Sequence, residues 1–540
     1  MGKDLTLEKQ STTKGFAILS GAALLSKVIS ILYLPILSKI LGADGIGIYS
    51  YVYSIYVWMY IVTNSGLPSA ISKIVSELIT TGNYKDAVRS FKISRMLLIV
   101  FGSITTLLMF ILAEPLTSFM NFPKAALAVK VLSPALVITG ILSTYRGYFQ
   151  GIGNMTPTAF SQIVEQVINV SLSIGVSYVL IRFGIEAGIA GATTGTTLGA
   201  LVAGILLITI YKKHSLVHNI DNNIKNTRMY SDKKLLKKIL SYSIPMVICL
   251  GLQSAGLLID APIVKSRLLH IGFGEKLTNS LWGWFASWYT SLINVPIAIV
   301  TSLATAVLPA VSGLAAINDR KALKSKINYA FRLCFMISIP SAIGLMSLST
   351  GIYRLFGYDV RAAVLMRYGA LILVLLSVLQ IQTSILQGIG KIYVVTIYAV
   401  IGLIAKVIVN YIFTAIPSIN IKGALLGNAV CYLVPLILNY ITINRYLKIK
   451  ISLFRHSTKP LFSSIVMGLL AYSVYYFIII IAVNSYIVNL IAVVIAIFVA
   501  VFVYLYSLII IGGIKKKDFD VLPSRILKLI PKFMMNAIKE

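Results

Sequence analysis

A chain of 540 residues that is 58% hydrophobic and only 12% charged, with a mean hydropathy of +0.88, excludes an ordinary soluble domain and reads as a polytopic helical membrane protein. The formal charge of +31, from 48 basic and 17 acidic residues, would suggest nucleic acid in a soluble protein. Here the basic clusters fall in alternate loops (Lys85 to Arg95, Lys212 to Lys238, Arg320 to Lys326, Arg445 to Lys459, Lys515 to Lys517), so the positive-inside rule accounts for them, nucleic acid is not an expected partner, and both termini are expected in the cytoplasm.

The first apolar run starts near Phe16 and no small-residue cleavage pattern follows it, so it is expected to remain as helix 1 rather than to be removed as a signal peptide. Hydropathy predicts fourteen helices, near 14–41, 46–78, 94–113, 126–150, 157–182, 187–211, 239–264, 280–314, 326–350, 363–388, 391–415, 422–446, 460–483 and 486–513. The polar linker 212–238 is expected in the cytoplasm, with Ser231 capping a surface helix that leads into helix 7. The tail 514–540 mixes apolar and basic residues. It is expected either to lie on the anionic inner leaflet or to fray.

The chain repeats itself. Phe149-Gln-Gly-Ile-Gly-Asn recurs as Leu386-Gln-Gly-Ile-Gly-Lys, Ile189-Ala-Gly-Ala-Thr-Thr-Gly as Ile421-Lys-Gly-Ala-Leu-Leu-Gly, and Gly66-Leu-Pro-Ser-Ala-Ile-Ser loosely as Val307-Leu-Pro-Ala-Val-Ser-Gly. The offsets stay between 232 and 241 residues. The expected organisation is therefore an N-lobe at 1–211, the linker 212–238, a C-lobe at 239–446, two further helices at 447–513 and the tail.

Enzyme motifs are scarce. No P-loop, nucleophile elbow or HExxH is found, and Asp518-Phe-Asp520 is better read as part of a lysine-rich membrane edge than as a sugar-nucleotide motif. Cys249, Cys334 and Cys431 lie far apart in apolar segments, and the four histidines are scattered, so neither a disulfide framework nor a metal site is expected.

Polar residues inside the helices are more informative, because a charge at the bilayer centre costs about 2.5–3.5 kcal/mol and needs a reason. Gln162, Glu165, Gln166, Asn169, Ser173 and Ser177 share one face of helix 5, which should line a water-filled cavity or a packed polar interface. Lys27 lies near the middle of helix 1. Lys406 and Asn410, in helix 11, are the repeat counterparts of Asn169 and Ser173. These groups could line one central cavity and offer positive charge to an anionic substrate, or form buried ion pairs. Glu165 could be a counter-ion, a coupling-ion site or a structural acceptor. Arg146 could hold a phosphate bidentately or simply obey the positive-inside rule. Lys73 could reach the cavity mouth or pair with Glu77. At the outer end of helix 7, Asp260, Lys265 and Arg267 read first as a local salt bridge. The aromatic runs Tyr49, Tyr51, Tyr53, Tyr56, Trp58, Tyr60 and Trp282, Trp284, Trp288, Tyr289 suit an interfacial belt better than a sugar-stacking face. Gly191, Gly195 and Gly199 form a small-residue stripe for tight helix packing.

Tyr145-Arg-Gly-Tyr-Phe-Gln-Gly, Asn154-Met-Thr-Pro, Ser161-Gln-Ile-Val-Glu-Gln and Gly66-Leu-Pro-Ser-Ala-Ile-Ser-Lys together resemble the stage V sporulation protein B and lipid II flippase family of Gram-positive bacteria, within the multidrug/oligosaccharidyl-lipid/polysaccharide exporter superfamily. The resemblance implies a multi-pass plasma-membrane flippase with two six-helix lobes in a V, a cationic cavity and a lipid groove by the last two helices. Its cargo would be an undecaprenyl-pyrophosphate-linked sugar, most readily lipid II, carried from the inner to the outer leaflet. Lys27, in Ser26-Lys-Val, matches a basic cavity position of the family. Ser291 or a neighbour, and Tyr33, stand where relatives carry arginines. No cofactor is expected. Membrane potential or an ion gradient would drive transport, with membrane lipids and cell-wall synthesis proteins as partners of a monomer. Competing readings are a flippase for teichoic acid or another polysaccharide unit, a cation-coupled multidrug antiporter, which Lys27 in place of a helix 1 carboxylate argues against, and a non-transporting cell-wall scaffold.

Overall fold

The structure is a computed structural model that describes residues 12–64, 66–213, 230–316, 319–447, 452–481 and 485–513; every regular element among them is helical. The tail 514–540, the centre of the linker and the Asp518–Asp520 stretch lie outside the described residues. In order the helices are α1 (Thr12–Asn64), α2 (Leu67–Thr80), α3 (Tyr84–Ile111), α4 (Ala113–Phe119), α5 (Ala126–Leu132), α6 (Ala135–Gly151), α7 (Thr156–Leu180), α8 (Ile185–Lys213), α9 (Asp232–His270) and α10 (Glu275–Gly283). A π turn (Trp284–Tyr289) then leads into α11 (Thr290–Ala316), α12 (Arg320–Ser347), α13 (Ser349–Leu355), α14 (Ala363–Gly369), α15 (Ile372–Gly388), α16 (Ile392–Phe413), α17 (Lys422–Leu447), α18 (Leu453–Ile481) and α19 (Tyr486–Ile510).

Twelve of the described helices are long and apolar enough to cross a membrane, thirteen when the bent pair α14–α15 is taken as one span. The apolar part of α1 alone has 44 residues, Gly21–Asn64. Straight, it would measure about 66 Å against a hydrocarbon core of about 30 Å. Gly42, at φ 69° and ψ 174°, divides it into two arms, where the sequence leaves a gap between its first two predicted helices. The predicted helix 46–78 is shorter than expected. It stops at Asn64, and α2 restarts with Pro68 in its first turn, where proline's missing N–H costs nothing. The predicted helices 126–150 and 363–388 are each broken near their start, into α5–α6 and α14–α15. The linker helix forms as expected, with the Ser231 side chain accepting from the Lys234 N–H at 3.3 Å.

Packing divides the chain into two compact units, residues 1–287 and 288–540. Repeat and packing therefore part the chain at different places, since α9 and α10 open the second repeat yet pack in the first unit, against α1, α2 and α3. The reason is a set of polar and apolar contacts. Buried Asp86 accepts from Arg89, from Asn83 and from the Tyr230 N–H, and Arg89 also reaches Asp232 and the Tyr230 carbonyl. Lys238 pairs with Glu77 at 2.7 Å, and Leu235 and Ile239 fill a cluster with Leu67, Ile74, Leu78 and Leu98. Further along, Asn279 donates to Asp44 at 2.8 Å, and Gly47 lies so close to the Asn279 carbonyl that a methyl there would overlap it.

In the second unit, α18 and α19 lie outside the repeat but are part of the same core. Tyr475 donates to Asn489 at 2.8 Å, Asn489 donates to the Gly351 carbonyl at 3.1 Å, and Tyr504 donates to the Met336 carbonyl at 2.8 Å.

The repeat is visible in local geometry. The Gly-Ile-Gly turns after α6 and α15 close with matching hydrogen bonds: Gly153 N–H to the Gln150 carbonyl and Asn154 N–H to the Phe149 carbonyl, then Gly390 N–H to Gln387 and Lys391 N–H to Leu386. Both Gly153 (φ 82°) and Gly390 (φ 78°) take the left-handed conformation that this helix end demands. The pairs α7–α8 and α16–α17 share a seam too. A methyl at Gly195 would overlap the Asn169 carbonyl and Ser173 Oγ, and one at Gly427 would overlap Asn410 Oδ1. Lipid tails are as apolar as the helices, so close backbone approach of this kind, rather than a hydrophobic drive, holds such pairs together.

Candidate functional site

The site grows out of the Gly-Ile-Gly turn after α6. Gly147 and Gly151 seat α6 on α2, at Pro68 and Val75, and after the turn Pro157 opens α7. Arg146, in the last turns of α6, then meets the first turns of α7. Its Nε donates to Ser161 Oγ at 3.0 Å and its terminal nitrogen to Glu165 Oε2 at 2.6 Å. The pair is largely withdrawn from solvent, with side-chain exposures of 15% for Arg146 and 24% for Glu165. Ser161 is itself buried and donates to the Thr158 carbonyl at 2.7 Å. Guanidinium, hydroxyl and carboxylate are thus held on two helices joined by a tight turn. These contacts occupy two of the five guanidinium donors.

A second polar strand runs beside it. Asn169 Oδ1 accepts from Ser173 Oγ at 3.0 Å and from Thr196 Oγ1 at 3.4 Å, and Thr196 is hydrogen bonded in turn to the Tyr53 hydroxyl. Tyr33 bonds Tyr49 across the two arms of α1. Tyr49, Tyr53, Tyr56 and Tyr60 form a ladder whose successive ring centroids lie 4.6, 6.1 and 6.1 Å apart. Tyr56 neighbours Glu165, and Tyr60 neighbours Arg146. These tyrosines are drawn into the helix bundle, which corrects the reading of this run as an interfacial belt. Their spacing of 4, 3 and 4 puts them on one helical face and was the available signal. The second aromatic run is corrected likewise. Trp282, Trp284, Trp288 and Tyr289 are all buried, and Trp288 stacks on Tyr358 with centroids 4.5 Å apart.

The helix 5 stripe divides along its length. Gln162, Glu165, Gln166 and Asn169 are partly exposed, and Gln162 Oε1 is buried with no hydrogen-bond partner among the described residues. Ser173 and Ser177 are fully buried in the α7–α8 seam, where Ser177 donates to the Gly188 carbonyl at 2.9 Å. Gly191, Gly195 and Gly199 form the facing side of that seam, as their spacing predicts.

The other sequence-predicted residues have surroundings of their own. Lys27 is exposed on the first arm of α1. Lys73 sits over the Tyr242 ring at 4.0 Å, and Glu77, its expected alternative partner, pairs with Lys238. Lys406 and Asn410 are buried on α16 in the second unit. At the far end of α9, Asp260 is buried. The ion partner found for Lys265 is Glu275, at 3.5 Å, and its ammonium also lies 3.8 Å from the centre of the Phe122 ring. Burial pulls the Lys265 pKa below the ordinary lysine value, with Glu275 opposing the shift. Arg267, two residues on, is half-buried. Among the described residues no group of three or more His, Cys, Asp or Glu could hold a metal ion.

Comparison with known proteins places the chain in a lineage. The sequence profile described as polysaccharide biosynthesis protein matches residues 12–315, and that of MatE matches residues 286–412. Lipid II flippase MurJ of Bacillus subtilis (strain 168) is 24% identical, over 80% of this chain and 82% of its own length. Stage V sporulation protein B of the same organism is also 24% identical, over 83% and 86%. A solved structure of lipid II flippase MurJ in an inward closed conformation superposes with a TM-score of 0.63 at 16% identity, covering 90% of this chain and 98% of that one. The shared fold is that of polytopic, all-helical membrane transporters.

Proposed function

Because the chain belongs to the polysaccharide biosynthesis protein family, we propose that it is a flippase, which moves a lipid-linked cell-wall precursor from the inner to the outer leaflet by alternating access. The first cargo to test is lipid II, since relatives named for that activity and for sporulation align along four fifths of the chain. The observation that carries the reading is the Arg146–Glu165 pair inside an apolar bundle. A guanidinium with unspent donors is the side chain best suited to a pyrophosphate, and a carboxylate partner keeps it neutralised while no substrate is bound. The hydroxyls of Tyr53, Tyr56, Tyr60 and Ser161 provide hydrogen-bonding groups of the kind a sugar needs. With no P-loop in the sequence, membrane potential or an ion gradient is the driving force we favour.

The test is lipid II exposed on the outer leaflet of cells depleted of their own flippase and supplied with this gene. Wild type is expected to restore exposure. Arg146→Gln/Glu165→Gln, which removes both charges together and leaves none stranded, is expected to reach the membrane and transport about 10–100-fold less, the worth of one charged hydrogen bond. If correctly inserted wild type fails, lipid II is the wrong cargo. If the double variant equals wild type, the pair is structural only.

A further inference from the structure

We propose that the second unit carries a lipid site of its own, a groove beside the break between α14 and α15 that holds one acyl chain of an anionic glycerophospholipid with its phosphodiester on Lys422. The span Val360–Gly388 bends by 46° at this break. Tyr289 holds it open: its hydroxyl donates to the Gly369 carbonyl at 2.9 Å, and its ring fills the space that a side chain at Gly369 would need. Between the break and α17 lies a groove of about 610 Å³. Leu371, Leu375, Leu426 and Ala429 line its length, and Tyr368 and Lys422 stand at one end with the ammonium 5.4 Å from the ring centre.

Three observations choose the occupant. Leu375 and Ala429 each lie seven residues beyond the Tyr368–Lys422 end, so the apolar part is about 10 Å deep, and its outer edges, Tyr368, Leu371 and Leu426, are exposed where a membrane helix meets lipid. Lys422 stands at a helix start beside a tyrosine, the interfacial arrangement, and among the described residues no carboxylate lines the groove. One lysine matches one negative charge, which favours a phosphodiester over the multiply charged pyrophosphate of a transport substrate. The site is also particular to this unit. The repeat puts Ala190, buried in its own helix seam, where Lys422 stands.

The full-length protein, purified in mild detergent, would be examined by native mass spectrometry and thermal unfolding with phosphatidylglycerol, with phosphatidylcholine of the same chains, with polyprenyl phosphate and with inorganic phosphate. Wild type is expected to retain phosphatidylglycerol about fivefold over phosphatidylcholine and to melt higher with it. Lys422→Gln should abolish the preference while still holding lipid, and Ala429→Phe, which fills the groove, should lower retention of both lipids. Equal retention of the two lipids by wild type, or a preference that survives in Lys422→Gln, overturns the proposal. So does a response to inorganic phosphate alone or to polyprenyl phosphate alone. Lys422→Gln changes only a partly exposed side chain, so it remains informative if Ala429→Phe fails to fold.

Discussion

Replacing Glu165 by Gln would leave the Arg146 guanidinium, mostly buried, with neutral hydrogen-bond partners and no counter-charge. A charge stranded in this way costs stability, here about 1–3 kcal/mol because neither group is fully dry, and a lower melting temperature in detergent would register it. Adding Arg146→Gln should recover most of the loss, and a double-mutant cycle near zero would mean that the pair does not couple. Sequence alone singled out both residues but did not join them. Glu165 was open to three roles, and the lysines were as reasonable partners as Arg146, because a partner's identity depends on where a turn delivers it. The tyrosines show the same limit. Their helical spacing is plain, but an interfacial belt and a buried ladder have the same periodicity, and the difference lies in Thr196 and Asn169 on other helices.

Glycine at a helix seam can be tested by adding one methyl group. Gly195→Ala drives a methyl into the Asn169 backbone carbonyl, which cannot swing aside, and should cost about 1–3 kcal/mol of thermal stability. Gly175→Ala, where no atom lies within 4 Å, should be neutral or slightly stabilising in the same assay, since alanine is the better helix former. This element-scale feature was legible early, because a four-residue glycine spacing has few other uses in a membrane helix. The broken spans were not. Nothing local to Gly369 marks a 46° bend; the tyrosine that occupies its space is 80 residues earlier in the chain.

At the scale of the molecule, the basic loops predict a direction that the helices themselves do not. Single cysteines at the exposed positions Lys124 and Lys276 should react with an impermeant maleimide in intact cells, and those at Lys233 and Lys321 only after permeabilisation, the native cysteines being buried or half-buried. The opposite pattern would reverse the assigned orientation. Hydropathy and the internal repeat gave the helical class and the paired helix ends at Gly153 and Gly390. They did not give the line along which the units separate, because α9 is drawn to the first unit by Asp86 and Arg89, which read from sequence as part of a basic loop, and by Glu77, which read as a partner for Lys73.

That line falls between Ser287 and Trp288, inside the π turn. A π turn accommodates one residue more than an α turn, and at about 100° per residue it shifts the helical phase of the side chains along it. The helix from Glu275 to Ala316 is therefore continuous in its backbone but not in its phase. Within the turn, Ser287 bonds Ser50, whereas Trp288 lies flat on Tyr358 and Tyr289 reaches Gly369. One surplus residue works here like a half-step between two gears on a single shaft, letting adjacent side chains of one helix engage two different sets of teeth.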